Sequence, residues 1–105
     1  MVRQIEAANS WLELITYQMT QMSHDEQNVQ LSGPIAICKT HITLLFEFCA
    51  RESIQIFGGL GYTRTGQGEK VERLYRDVHA YAIGGGSEEV LLDLGVRQAM
   101  KSSKL

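Results

Sequence analysis

An all-α antiparallel helical bundle, three long helices plus a shorter one, is the fold the sequence predicts, and three observations predict it. Apolar residues recur at spacings of three and four over residues 2–23 and again over 69–83, the period of a single helix face. Residues 34–57 between them hold an apolar run that covers more than one side of a helix, the pattern of a pillar surrounded by others. Glycine clusters at 58–61 and 84–86 then punctuate the helices.

With 44% hydrophobic and 21% charged residues in 105 positions, the composition is that of one soluble domain with one modest core. The bundle is assigned to residues 1–101 and a tail to 102–105. A net charge of −2 and a pI near 5.9 offer no basic stripe for nucleic acid or an anionic membrane surface, and both partners are excluded. No apolar run reaches the roughly 18 to 20 residues of a membrane helix, and the start shows no charged-then-apolar leader. Cys38 and Cys49 fall on one helix, roughly 16 Å apart by helix rise, beyond disulfide reach. They read as small core residues of a reducing compartment.

Ile5, Ala8, Leu12, Ile15, Met19 and Met22 form the stripe of the first helix, widened by Trp11 and Leu14, with Trp11 read as core packing. Residues 24–33 lose the period and read as a polar surface loop, His24 included. Ser32, near the cap, and Pro34, in the first turn where its missing N–H is no loss, announce the second helix. It runs to Phe57 and carries His41, read as a hydrogen-bonded core histidine because no further ligand stands at metal spacing. No metal site is expected.

The stretch Gln55-Ile-Phe-Gly-Gly-Leu-Gly-Tyr ends the apolar run and admits two readings. Gly58, Gly59 and Gly61 either close the helix as a glycine cap or bare their amides to a phosphate. Residues 63–68 read as a flexible segment, and 69–83 as a third, shorter helix in which Glu72 and Arg76 pair at i, i+4. Gly84, Gly85 and Gly86 break it. Ser87 reads as the N-cap of the last helix, and Glu88 and Glu89 suit the positive end of its dipole.

Two linked motifs, Gln55-Ile-Phe-Gly-Gly-Leu-Gly-Tyr and Arg76-Asp77 followed by the triple glycine and Ser87-Glu-Glu-Val, resemble the C-terminal helical domain of the acyl-CoA dehydrogenases, and the resemblance runs from Ile5 to Arg97. It implies FAD-dependent α,β-desaturation of an acyl-CoA thioester: a carboxylate takes the α-proton while a hydride leaves the β-carbon for the flavin. It also implies a homo-oligomer, since Gln55, Ile56, Phe57, Gly58 and Gly59 match a segment that touches the FAD of a neighbouring subunit. Ser87 and Glu89 match flavin-contacting positions, Gly85 and Gly86 the substrate-side positions, and Arg97 an arginine that supports the active-site loop. Each of Ser87, Glu89 and Arg97 also has a plain reading, as cap, dipole partner and last-turn cation.

Gly85 stands where many members carry the catalytic glutamate, and glycine cannot take a proton. Isovaleryl- and long-chain-type members place that base on an earlier helix, which the resemblance puts ahead of Met1 together with the two preceding domains. No catalytic residue is therefore assigned, Glu88 being a poor substitute at a helix start, and the chain alone is expected to be inactive. The competing expectation is a non-catalytic helical assembly module that self-associates. Ser103-Lys104-Leu105 reads as a peroxisomal address, with a mitochondrial location as the alternative.

Overall fold

The computed structural model describes residues 1–103, and in it the chain is almost wholly helical. Its helices are α1 (Val2–Gln21), α2 (His24–Gln30), α3 (Ser32–Phe57), α4 (Glu69–Ile83) and α5 (Glu88–Ser102). Two 3₁₀ turns, Gly58–Tyr62 and Gly66–Gly68, join α3 to α4. The expected bundle is present, with one short helix more than expected. Lys104 and Leu105, two thirds of the expected peroxisomal address, lie outside the described residues.

α3 is the pillar. At 26 residues it is about 39 Å long, and every other α-helix packs on it, α4 and α5 most extensively. Pro34 sits in its first turn, where the missing N–H costs nothing. The buried residues are mostly small: Ala8, Ile15, Ala36, Cys38, Ala50 and Val78, with Leu31 and the threonines 40 and 43. Small residues let helices approach closely, and α3 and α5 meet at a pair of glycines. A Cβ on Gly33 would stand 3.0 Å from Gln98 Cβ, and one on Gly95 2.5 Å from Ile37 Cγ1. Burial pushes the Cys38 thiol above its ordinary pKa, while Cys49 is only half-buried.

Three local expectations are corrected. Residues 24–30 are a helix and not a loop, because Ser23 and Glu26 form a capping box. The Glu26 carboxylate accepts from the Ser23 N–H and hydroxyl, both at 2.8 Å, and the Glu26 N–H donates to Ser23 Oγ at 3.4 Å. The Ser23 backbone and then its hydroxyl hold the Glu26 carboxyl below its usual range. A lowered folded pKa means that the box holds above the ordinary glutamate range and is lost as pH falls through the folded value.

Ser32 is not a cap, since the chain at Leu31 is already αR and the Leu31 N–H donates to Gln27 O, so α2 runs straight into α3. Its buried hydroxyl has no hydrogen-bond partner. His41 is exposed rather than in the core, its ring leaning on the half-buried Trp11 with centroids 5.8 Å apart, because α1 covers only part of this side of α3. In the segment 63–68 the Thr63 hydroxyl lies 2.8 Å from Leu60 O and 3.0 Å from Thr65 O, residues 66–68 form a 3₁₀ turn, and Gly68 is buried against the Leu60 carbonyl.

Much of the apolar stripe of α1 is open. α1 buries only Ala8 and Ile15, while Ile5, Leu12 and Met19 stay exposed. A cleft of about 480 Å³ between α1, α3 and α4 is floored by Ile35, Cys38 and Ile42.

The 3₁₀ connection supplies a stability test. A methyl at Gly68 would land on the Leu60 backbone, whereas one at Gly59 meets nothing within 4 Å. Gly68→Ala should lower stability by about 3 kcal/mol in urea unfolding followed by circular dichroism, and Gly59→Ala should stay within about 0.5 kcal/mol of the native chain.

Candidate functional site

The triple glycine folds into a tight turn between α4 and α5. The Gly84 N–H donates to Ala80 O at 2.9 Å and the Gly86 N–H to Ile83 O at 3.3 Å. Gly85 and Gly86 take φ of 75° and 116°, conformations that cost an L-residue and are open to glycine. Ser87 has the extended backbone of an N-cap, and its carbonyl accepts the Leu91 N–H at 3.0 Å. Its hydroxyl, however, caps no amide, contrary to the plain reading of this serine. The first turn of α5 thus begins with Glu88 half-buried and Glu89 exposed.

Two side chains of α3, one helical turn apart and so on one face, reach this turn. Lys39 Nζ donates to Ala82 O at 3.1 Å and to Gly86 O at 3.0 Å. Thr43 Oγ1 donates to Glu88 Oε1 at 2.9 Å, the shortest of three acceptors within reach of its single proton. Hydrogen bonds from a charged donor are worth roughly 1.5–3 kcal/mol each, here toward the lower end because Lys39 is half-buried. Thr43 in turn orients Glu88, one of whose carboxylate oxygens accepts from its hydroxyl. Sequence reasoning missed both residues. The available signal was a lone lysine inside the apolar run with a threonine at i+4, too common a pattern to single out.

The turn stands between two clefts. Gly84 lines the one of about 480 Å³, and Gly85 borders another of about 420 Å³ that contains Ser32, Ile35, Lys39 and Leu91.

Not all the expected site residues come together. Gly85, Gly86, Ser87 and Glu89 share the turn, but Gln55, Ile56, Phe57, Gly58 and Gly59 lie at the far end of α3, about 18 Å beyond Thr43 by helix rise. Gly58, at φ 58°, does close the helix, its N–H donating to Gln55 O and Ile54 O. Gly59 has open space where a side chain would be, and Ile56 is 73% exposed. Arg97 pairs with Asp93 on an exposed stretch of α5, and the hydrogen bonds into the turn come from Lys39 and Thr43 instead. Among the described residues no cluster of three metal-ligating side chains occurs.

Positive φ at Gly85 and Gly86 gives these positions different tolerances. Gly85 has open space around it, so Gly85→Ala should cost only the backbone term, about 1–2 kcal/mol. At Gly86 the new methyl also meets Leu91 at 3.0 Å, and Gly86→Ala should cost more, about 2–4 kcal/mol, in the same urea unfolding assay.

Comparison with known proteins identifies the family. Residues 1–100 match the family described as acyl-CoA dehydrogenase, C-terminal domain. The chain is 40% identical over 101 residues to the acyl-CoA dehydrogenase apdG of Emericella nidulans, covering 96% of this chain and 23% of that protein. It is 42% identical over 100 residues to the acyl-CoA dehydrogenase AFT10-1 of Alternaria alternata, covering 93% and 23%. The probable acyl-CoA dehydrogenase YdiO of Escherichia coli is 39% identical over 70 residues, 60% of this chain and 18% of that protein. The chain therefore spans about a quarter of the length of the first two relatives. No solved structure matches it significantly. A helical bundle of this pattern, matched along nearly its whole length, belongs to the acyl-CoA dehydrogenases as their C-terminal domain.

Proposed function

We propose that the chain is the part of an FAD-dependent acyl-CoA dehydrogenase that supplies flavin contacts and subunit contacts, and that it does not desaturate acyl-CoA by itself. The observation that carries this reading is the separation of its candidate flavin residues: Ser87 and Glu89 stand where α5 begins, beside Thr43 near the middle of α3, and Gln55 to Gly59 stand at the C-terminal end of α3, about 18 Å along the helix from Thr43. A cofactor shared between neighbouring subunits accounts for such a split; a single compact pocket does not. When bound, FAD would supply the hydride acceptor for α,β-desaturation.

The residues present fit that group. The Ser87 hydroxyl is left unused by the helix it begins, and it stands with Glu89 at the positive end of the α5 dipole. At the other end, Gly58 and Gly59 present backbone that no side chain covers, with Ile56 and Phe57 exposed beside it. What is lacking is a base at the usual position: Gly85 has no carboxyl, and Glu88 stands three residues on, at the start of α5, with one carboxylate oxygen accepting from Thr43 Oγ1. The acyl-CoA class of substrate rests on the family.

Self-association is the second part of the reading. Ile5, Leu12 and Met19 on α1 and Leu44 and Phe48 on α3 stay exposed, and each such side chain is worth roughly 1.5–3 kcal/mol when covered. The same exposed stripe favours the alternative of a helical assembly module without catalysis, in which case the chain associates but takes no flavin.

One set of measurements separates these. FAD fluorescence should be quenched on titration with the chain, sedimentation should give a dimer or larger species, and butyryl-, octanoyl- and palmitoyl-CoA should not be desaturated, leaving an artificial electron acceptor unreduced. Association without quenching selects the assembly module, and turnover above a no-protein control refutes the inactive reading.

Peroxisomal delivery of the parent protein, with mitochondria as the competing destination, rests on Ser103-Lys104-Leu105 alone. A fluorescent protein fused ahead of residues 94–105 should enter peroxisomes and turn cytosolic when Leu105 is deleted. A diffuse signal from the intact tail rejects the address.

A further inference from the structure

The turn at residues 84–87 is held locally by backbone hydrogen bonds alone, from the Gly84 N–H to Ala80 O and from the Gly86 N–H to Ile83 O. α4 carries no basic residue in its last turn to satisfy its final carbonyls, and the Ser87 side chain does not cap α5. Two of its glycines have positive φ, and neither is held by a packed side chain of its own. Among the described residues, the side-chain hydrogen bonds into residues 82–88 all come from α3, through Lys39 and Thr43.

We propose that Lys39 and Thr43 are positioning residues that fix the flavin- and substrate-facing turn from outside it. The lysine ammonium draws two carbonyls, Ala82 O of the last turn of α4 and Gly86 O of the glycine turn, onto one point. It thereby supplies the C-terminal cation that α4 lacks. One helical turn on, Thr43 holds the first residue of α5 by its carboxylate. The two side chains, through three hydrogen bonds, fix the end of one helix and the start of the next, so the glycines between them have little freedom left. They also keep Glu88 turned toward α3, which leaves Ser87 and Glu89 as the groups the turn can offer a ligand. This assignment deepens the proposed flavin role and rests on it for its ligand, whereas the mechanical part stands on the hydrogen bonds alone.

The test uses the full 105-residue chain and three variants, Lys39→Met, Lys39→Arg and Thr43→Val. Amide exchange is followed by NMR at Gly84, Gly86 and Leu91, whose N–H groups are bonded to Ala80, Ile83 and Ser87. Lys39→Met should speed exchange at these three amides about tenfold or more, with the centres of α1 and α3 unchanged. Lys39→Arg, which keeps the charge and donors, should restore slow exchange. Thr43→Val removes only a hydroxyl and should speed exchange at Leu91 more than at Gly84. FAD affinity should fall with Lys39→Met and recover with Lys39→Arg.

Native exchange rates at the turn in both Lys39→Met and Thr43→Val would overturn the proposal. So would an increase spread equally over all helices, in Thr43→Val if Lys39→Met fails to fold. If the native chain takes no FAD, the flavin reading fails while the exchange rates still decide the positioning role.

Discussion

The ammonium of Lys39, held between the carbonyls of Ala82 and Gly86, is the contact on which the site depends. A triple glycine can reverse the chain in many ways, and its own side chains select none of them. The selection comes from α3, which has already been fixed by packing against α4 and α5. The pillar is therefore both the structural axis of the bundle and the source of the two side chains that shape its candidate active-site turn. Placing the shaping residues on a rigid helix leaves the turn itself free of side chains, so that backbone and small groups face outward.

The packing around that pillar is uneven. On the side of α5, glycines on both helices and small residues between them bring the backbones together. On the side of α1, contact is limited to Ala8, Ile15 and a few half-buried neighbours, and the cleft between α1, α3 and α4 remains open. The 54 × 24 × 20 Å outline follows from this: one long helix with others laid along it and one side only partly covered. A domain stabilised by a few kcal/mol gains little from such a stripe until something covers it.

How much was legible in the sequence can be followed residue by residue. The span of α4 was readable because Gly68 and Gly84 bracket a clean stripe, and Gly58 announced the end of α3 by a chemistry that few other residues share. α2 was not readable from periodicity, since its seven residues are polar and its evidence lay in Ser23 and Glu26. His41 and Ser32 were misplaced for a common reason. Apolar neighbours in sequence suggest burial, and a polar residue near a proline suggests a cap, but both depend on which neighbouring element arrives.

What the sequence by itself determined was the class of fold, the ends of α3 and α4, and the two glycine motifs that carry the family resemblance, because each follows from side-chain period or from the absence of a Cβ. Only the tertiary structure decided that Lys39 and Thr43 hold the turn, that Glu88 accepts from Thr43, and that the candidate flavin residues fall into two separated groups. The hydrogen bonds from α3 join residues more than forty positions apart in the chain, such as Lys39 and Gly86 at a separation of 47. Local pattern carries no record of such a pairing; it exists only once helices have chosen which faces to bury against each other.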